Sequence, residues 1–578
     1  PTVKPSSITG EDRWAKITVN PHGWTAESGI TGRGTEDDPY ILRCAESFAA
    51  LRDEVNAGIS YAGSFFKLAE DITLPADWTP IGCLKDESVT PGALDYADKG
   101  RNMNPFSGTI DGDGHTLTMA KGSRPLLMFA RKATVRNLNI QGERIAGNGL
   151  LERYVIDYGT EGYYNNSVPN TITIENCHIV GDTNITGSGF LSGYASGLNI
   201  VMIVNCSVGE DVVIGCDKDQ SEVGSLAGHF NGSVMNCTSA ATVYGKSRVG
   251  GLVGYKGQSM GPCSISSSSF TGKVIATGDY AGGILGSGYN QGSAPNSPWA
   301  TIKGCFVTGS IQGRDGVGGI TGGEPGVVQC WDNGIGGITD NVFYGEIHAT
   351  GTSVGAIVGT IRSLNKNTLV DNNYYLAGCG TSKGIGSITT VDTKYKPSTL
   401  PKDTEYICTS DGYTNIFFKD GDYSREDDPV GKDADKLSKA VTNTVLKDGT
   451  VVQWLNTSES SYHNWMQGTV GPILSNKAIA YDLEITGEIN QHYVGDALDL
   501  SGLTLTAKWS DGTTTNVPLN DPDLKITGYD SGKHGQQTVT LQYGAAKVEI
   551  VVTVLYKEPE DITVTINEGD TITVTDNG

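Results

Sequence analysis

The chain reads as an all-β protein, a right-handed parallel β-helix with helical caps followed by an Ig-like β-sandwich, and three observations carry that reading. One strand pattern recurs every 29 to 37 residues, as Ile174-Glu-Asn-Cys177, Ile203-Val-Asn-Cys206, Val234-Met-Asn-Cys237, Ile265-Ser-Ser-Ser268 and Ile302-Lys-Gly-Cys305. Weaker echoes stand at Val135-Arg-Asn-Leu138 and Ile338-Thr-Asp-Asn341. Five glycine-rich apolar turns answer the strands, Val223-Gly-Ser-Leu-Ala-Gly228, Val249-Gly-Gly-Leu-Val-Gly254, Ala281-Gly-Gly-Ile-Leu-Gly286, Val317-Gly-Gly-Ile-Thr-Gly322 and Val354-Gly-Ala-Ile-Val-Gly359. Such a period marks a solenoid. The 78 glycines and only two good helical stretches exclude stacked helical repeats. Coils of a parallel β-helix bond to the coils above and below, about 4.8 Å away, so equivalent positions form columns.

Along the chain, residues 1–33 read as an N-terminal extension and 34–395 as the β-helix with its N-terminal cap. The cap is a helix over 44–57, where Ala45, Phe48, Leu51 and Val55 recur at helical spacing before Gly58. A cap is required because the first coil would otherwise expose unpaired strand edges. Residues 396–478 read as the opposite cap, with a helix from Asp433 to Leu446 ahead of Trp454 and Trp465. From Tyr481 short strands separated by Asp-Gly and Gly turns predict an antiparallel sandwich over 479–555. Residues 556–578 alternate like the opening of a further module or linker.

Composition narrows the function classes. A net charge of −23 argues against nucleic-acid or anionic-membrane partners, which need clustered Lys and Arg. The sequence has no run of about 18 apolar residues, so no membrane span is predicted. Pro1 is followed by no charged and apolar leader pattern, which fits a mature or trimmed chain. Eleven cysteines include no Cys-x-x-Cys pair, and Cys177, Cys206, Cys237 and Cys305 fall in one inward column with Ser268 as its missing rung. These are expected to be free, buried, small hydrophobes. No metal site and no cofactor is predicted: His-Glu-x-x-His is missing, and Asp111-Gly-Asp-Gly-His lacks the rest of a calcium loop.

Several segments resemble the GLUG-repeat β-helix proteins of bacteria: Gly34-Thr-Glu-Asp-Asp-Pro-Tyr-Ile-Leu, Trp78-Thr-Pro-Ile-Gly, Phe106-Ser-Gly-Thr-Ile-Asp-Gly-Asp-Gly-His-Thr and the Val-Gly-Gly-Leu-Val-Gly turns. The likeness covers roughly residues 30–475, and residues 481–554 look like a bacterial Ig-like module of the kind that acts as a spacer. The resemblance implies a secreted or cell-wall-attached protein. It does not choose a function, because such repeats occur in adhesins, in non-catalytic parts of proteases and in glycan-active proteins.

The columns themselves suggest a site. The residues just before the five turns are Glu222, Arg248, Tyr280, Gly316 and Ser353, and one step earlier Asp279 and Asp315 share a column on adjacent coils. Carboxylates facing outward there would stand about 5 Å apart, the separation of a retaining glycosidase pair. Ordinary Asp turn capping is the competing account. Three longer segments leave the corner after the turns, at 152–170, 288–299 and 324–334, and carry Arg153, Tyr154, Tyr289, Trp299, Glu324, Trp331 and Asp332. Aromatic rings beside charges suit sugars, and the same rings could pack the insertions down. Glu222, Arg248 and Lys256 border the same face.

Two functions follow. One is an extracellular glycoside hydrolase acting on host or dietary glycans, with Asp279 and Asp315, joined by Glu324 or Asp332, as its carboxylates. In it Glu222, Arg248, Lys256, Tyr289, Trp299, Trp331, Arg153 and Tyr154 bind substrate. The other is a non-catalytic cell-surface adhesin recognising a glycan or protein through the same loops. The expected partner is an oligosaccharide or glycoprotein glycan, and the expected state is a monomer.

Overall fold

The structure is a computed structural model that describes residues 28–86, 103–154, 171–192, 200–256, 263–288, 300–323, 336–364, 368–391, 438–457, 464–475, 480–509, 513–544, 546–557 and 569. Two compact units divide the chain, 1–447 and 448–578. The boundary falls inside the segment read from the sequence as a cap.

The first unit is a parallel β-solenoid. Two eleven-stranded sheets run its length. The first begins at Tyr40–Leu42 and ends at Thr368–Asp371, and the second begins at Ile72–Leu74 and ends at Ser438–Val441. A six-stranded third sheet runs from Asn184–Ile185 to Glu346–Ala349, and a five-stranded fourth sheet from Val223–Gly224 to Val354–Gly355. A fifth face carries Ala227–Phe230, Val253–Lys256 and Leu285–Gly288.

Register explains the core. Ile174, Ile203, Val234, Ile265, Ile302, Ile338 and Val370 are successive partners in the first sheet. All seven are buried. The pattern that recurs in the sequence is therefore one aliphatic stack seen edge on.

The residue pair that follows each strand, Asn-Cys in three coils, turns the first sheet into the second. Asn137, Asn176, Asn205, Asn236, Ser267, Gly304, Asp340 and Asn372 all have φ between 46° and 62°. Asn and Asp tolerate this left-handed conformation better than other side chains, and Gly adopts it freely. Outside the corner the amides join coil to coil, with Asn176 Nδ2 donating to Asn137 Oδ1 at 2.8 Å and Asn236 Nδ2 to Asn205 Oδ1 at 2.7 Å. Inside it lies a second ladder. Cys177 N–H donates to Cys206 Sγ at 3.4 Å, Cys206 N–H to Cys237 Sγ at 3.4 Å, and Cys237 N–H to Ser268 Oγ at 3.0 Å. Cys305 N–H then donates to Asn341 Oδ1 at 2.9 Å and Asn341 N–H to Asn373 Oδ1 at 3.1 Å. The cysteines are free and buried, as expected. They are also the acceptors of otherwise unserved backbone donors, which packing alone does not predict.

Helix Ala45–Asn56 forms where its periodicity places it, with Phe48, Leu51 and Val55 fully buried in the solenoid core. The second helical stretch is corrected. Ser438–Val441 is a strand pairing with Asn373–Leu376, and the helix begins only at Asn443–Lys447. Val441 and Val445 are spaced for a helix, but a free sheet edge takes Val441 first. Residues 396–437 lie outside the described residues.

The second unit holds helix Thr450–Thr457, the hairpin Trp465–Gln467/Pro472–Leu474 and an Ig-like sandwich. Its sheets have three and four strands, and Leu505, Ala507, Val539, Leu541, Val552 and Val554 alternate inward to form the core.

Candidate functional site

Each glycine-rich turn is a narrow arc joining the fourth sheet to the fifth face. A Cβ on the first glycine of the arc would stand 1.8 to 2.3 Å from the carbonyl oxygen three residues on, at Gly224, Gly250, Gly282, Gly318 and Gly355. The last glycine lies against the backbone of the coil before: a Cβ on Gly254 would meet Glu222 C at 2.5 Å, and one on Gly286 would meet Arg248 C at 2.5 Å. The arc is so thin that its two ends lie side by side.

The residue before the arc therefore faces the residue after it. Glu222 accepts hydrogen bonds from His229 Nδ1 at 2.9 Å and from Arg248 Nη1, one coil on, at 2.7 Å. The Arg248 guanidinium lies 4.4 Å from the centroid of the Tyr255 ring, and the His229 ring meets Tyr255 edge-on at 5.1 Å. Glu222, His229, Tyr255 and Arg248 thus form a closed quartet, each touching the next. Burial would raise the Glu222 carboxyl, but the hydrogen bonds and charges of His229 and Arg248 outweigh it and hold the carboxyl below its usual range.

The backbone at this position is unusual. Glu222, Arg248 and Tyr280 have φ of 66°, 59° and 67°, and the next coil places Gly316 there at 63°. A large side chain in this region costs about 1–3 kcal/mol where glycine costs nothing. Three consecutive coils nevertheless carry one. The Tyr280 ring lies across the next corner, where a Cβ on Gly316 would be 2.7 Å from Tyr280 Cδ1.

Asp279 and Asp315 lie on adjacent coils, and Tyr280 N–H donates to Asp315 O at 2.8 Å. Arg314, however, grips the Asp279 carboxylate with Nε at 2.7 Å and Nη2 at 2.5 Å. This hydrogen bonding holds the Asp279 carboxyl below its usual range, opposite to what a general acid needs. Asp315 Oδ1 accepts the N–H of Thr352 at 3.0 Å and of Ser353 at 2.7 Å, so it shapes the corner of the following coil. The Asp279 carboxylate is engaged in an ion pair and that of Asp315 in turn hydrogen bonds.

Lys256, which borders the same face in the sequence reading, is 2 % exposed and in register with Phe230 and Gly288. Burial pushes its amine down to about 8. Arg153 and Tyr154 close the strand Leu151–Tyr154, in register with Phe129 and Ala130. Glu324, Asp332, Tyr289, Trp299 and Trp331 lie outside the described residues. The strands and bridges that lead into those insertions do share one column, through Leu151, Leu191, Ala227, Val253, Leu285 and Thr321.

Sequence reasoning aligned the residues before the arcs and missed those after them, His229 and Tyr255. The same alignment holds the signal one position beyond the last glycine, where His229, Tyr255 and Ser287 follow Gly228, Gly254 and Gly286. Among the described residues no group of three or more His, Cys, Asp or Glu is placed to hold a metal ion, and no helix is long and apolar enough to cross a membrane.

Comparison with known proteins adds a module and a set of partial relatives. Residues 490–554 match the bacterial Ig-like domain (group 3) family, and they form the sandwich described above. Halomucin of Haloquadratum walsbyi is 26 % identical over 263 residues, 44 % of this chain and 2 % of that protein. Pectate lyase L of Thermoclostridium stercorarium is 33 % identical over 78 residues, 14 % of this chain and 6 % of that protein. An exo-beta-1,6-galactobiohydrolase of Bifidobacterium longum is 36 % identical over 76 residues, 12 % of this chain and 5 % of that protein. The chain thus spans only 2 to 6 % of the length of these relatives. The solution structure of a protein described as a candidate surface protein is 31 % identical over 15 % of this chain and all of that one, with a TM-score of 0.12.

Proposed function

We propose that this chain is an extracellular saccharide-binding β-solenoid, and that the mouths of its glycine-rich arcs form the recognition surface. The observation that carries this reading is the quartet of Glu222, His229, Tyr255 and Arg248. It presents an ionised carboxylate, a guanidinium and an imidazole in fixed positions on an aromatic base. Hydroxyl-rich ligands take such charge-assisted hydrogen bonds, and preorganised groups lose little entropy on binding. The left-handed backbone of Glu222, Arg248 and Tyr280 supports the same view, since strain at adjacent positions commonly marks function.

Two of the partial relatives are named for acting on saccharides, which favours a glycan over a protein ligand. The Ig-like domain suits a secreted or wall-attached protein and would act as a spacer. The arcs resemble GLUG repeats, and that resemblance points the same way. We favour binding over hydrolysis because the best-placed carboxyls are both held below their usual range, Glu222 by His229 and Arg248 and Asp279 by Arg314, which suits neither to act as a general acid.

A glycan array read together with product release tests this on wild type, Arg248→Ala and Asp279→Asn/Asp315→Asn. Binding without product is expected in wild type and, still detectable, in the double aspartate variant, with Arg248→Ala weakening it. Product released by wild type and abolished in the double variant would restore the hydrolase reading.

A further inference from the structure

We propose that a pocket at the C-terminal end of the solenoid corner holds the end of a neutral oligosaccharide whose chain runs parallel to the solenoid axis. The inference rests on the saccharide reading above and adds the direction and the terminus of the ligand. The pocket arises because one coil is cut short. The third and fourth sheets end at Glu346–Ala349 and Val354–Gly355. The next pass crosses directly from Asn373–Leu376 to Ile385–Val391, bonding to the preceding coil through Ile347 N–H to Cys379 O at 2.8 Å and Ala356 N–H to Lys383 O at 2.7 Å. The corner of the preceding coil is left as a ledge, and the step borders an open recess of about 550 Å³. This volume lies within the roughly 300–1,000 Å³ of small-molecule sites.

Its lining is polar and two-sided in hydrogen bonding. Gln312 and His348 are partners on the outer face of the third sheet, Thr350 and Thr352 stand on the corner, and Thr381 and Lys383 come from the short coil. Amide, imidazole and hydroxyl groups both donate and accept, as sugar hydroxyls do. Asp315 fixes the corner by accepting the Thr352 and Ser353 N–H groups, which makes it a positioning residue for the pocket.

The corner at Thr352 and Ser353 belongs to the same column as Glu222, Arg248, Tyr280 and Gly316. Three coil steps separate the Ser353 corner from Arg248, or roughly 14 Å at the spacing of adjacent strands. Between them lie the exposed Arg314–Asp279 pair and the Tyr280 ring. An extended saccharide of about four units would span from pocket to quartet, touching polar groups and then an aromatic face on the way.

The test is calorimetric titration of the full chain with gluco- and galacto-oligosaccharides of two to six units. Affinity is expected to rise at least tenfold from two to four units and then level. His348→Ala and Lys383→Ala should weaken every length by a similar factor, whereas Arg248→Ala should remove only the gain of the longer ones. Melting temperatures of the variants confirm that they fold. Binding that is independent of length, or unaffected by the pocket variants, overturns the inference and leaves the saccharide reading standing. Failure of wild type to bind any of the series overturns both.

Discussion

The backbone amide of Cys206 donates to the sulfur of Cys237, the residue directly above it on the next coil, at 3.4 Å. Burial pushes the Cys177 and Cys237 thiols up and that of Cys305 to about 12, so these rungs stay protonated and donate onward to carbonyls such as Met235 O, 3.3 Å from Cys237 Sγ. If acceptance rather than bulk is the role of the column, Cys237→Ser is expected to be nearly neutral, as Ser268 already occupies one rung. Cys237→Val keeps the volume and removes the acceptor, and should cost about 1–3 kcal/mol. Denaturation midpoints compare the two, and a serine variant less stable than the valine one would return the column to simple packing.

The arc glycines should be nearly irreplaceable. A Cβ at Gly282 would sit 2.2 Å from Leu285 O and 2.6 Å from Gly322 N, both backbone atoms that cannot move alone. Gly282→Ala is expected to destabilise by about 3 kcal/mol or more. Gly209→Ala, whose nearest neighbour would be 3.5 Å away, serves as the tolerant control. Thermal melts and limited proteolysis would read the difference, and equal behaviour of the two variants would contradict the close approach of the arc strands.

Acid should act on the quartet through Glu222. Its folded carboxyl lies below the ordinary value of 4.5, so the stabilisation it gives is complete above that value and is lost as pH falls through the lower, folded value. Wild type is therefore expected to lose melting temperature below pH 4.5 more steeply than Glu222→Gln. Saccharide binding should fall over the same interval. Parallel pH profiles for the two proteins would remove Glu222 from the account.

Lys256 makes the opposite prediction at alkaline pH. Its folded amine is pushed down to about 8 from 10.5, so between these values the unfolded chain binds a proton that the folded protein does not. Stability contributed by this site should rise with pH across that window. The melting-temperature difference between wild type and Lys256→Met is expected to shift in favour of wild type from pH 8 to 10.5, and a flat difference would place the amine in a more polar setting.

Much of the solenoid is legible in the sequence because register and periodicity are the same thing here. Ile174 through Val370 stack because each coil repeats the previous one, and Phe48, Leu51 and Val55 fix the capping helix by spacing alone. What escaped is chemistry that depends on reach between coils. Arg314 finds Asp279 across 35 residues, and nothing in the column of aspartates announces that partner. His229 and Tyr255 escaped for a simpler reason: the thinness of the arc, set by its glycines, is what brings them to Glu222 and Arg248. Strand Ser438–Val441 was hidden because its valine spacing fits a helix equally well, and an available sheet edge decided the matter.

The thin arc has an evolutionary consequence. Glycines and the buried aliphatic residues between them form the arc, while the side chains just before and just after it meet outside it. A substitution from Arg248 to another side chain alters the outer face of one coil and leaves its neighbours' backbone hydrogen bonds in place. Each coil can therefore change its outer side chains while the arc keeps its shape. Duplication of a whole coil would lengthen the surface by one increment with its chemistry already attached. On the binding proposal, recognition can change coil by coil while the arc glycines stay as they are.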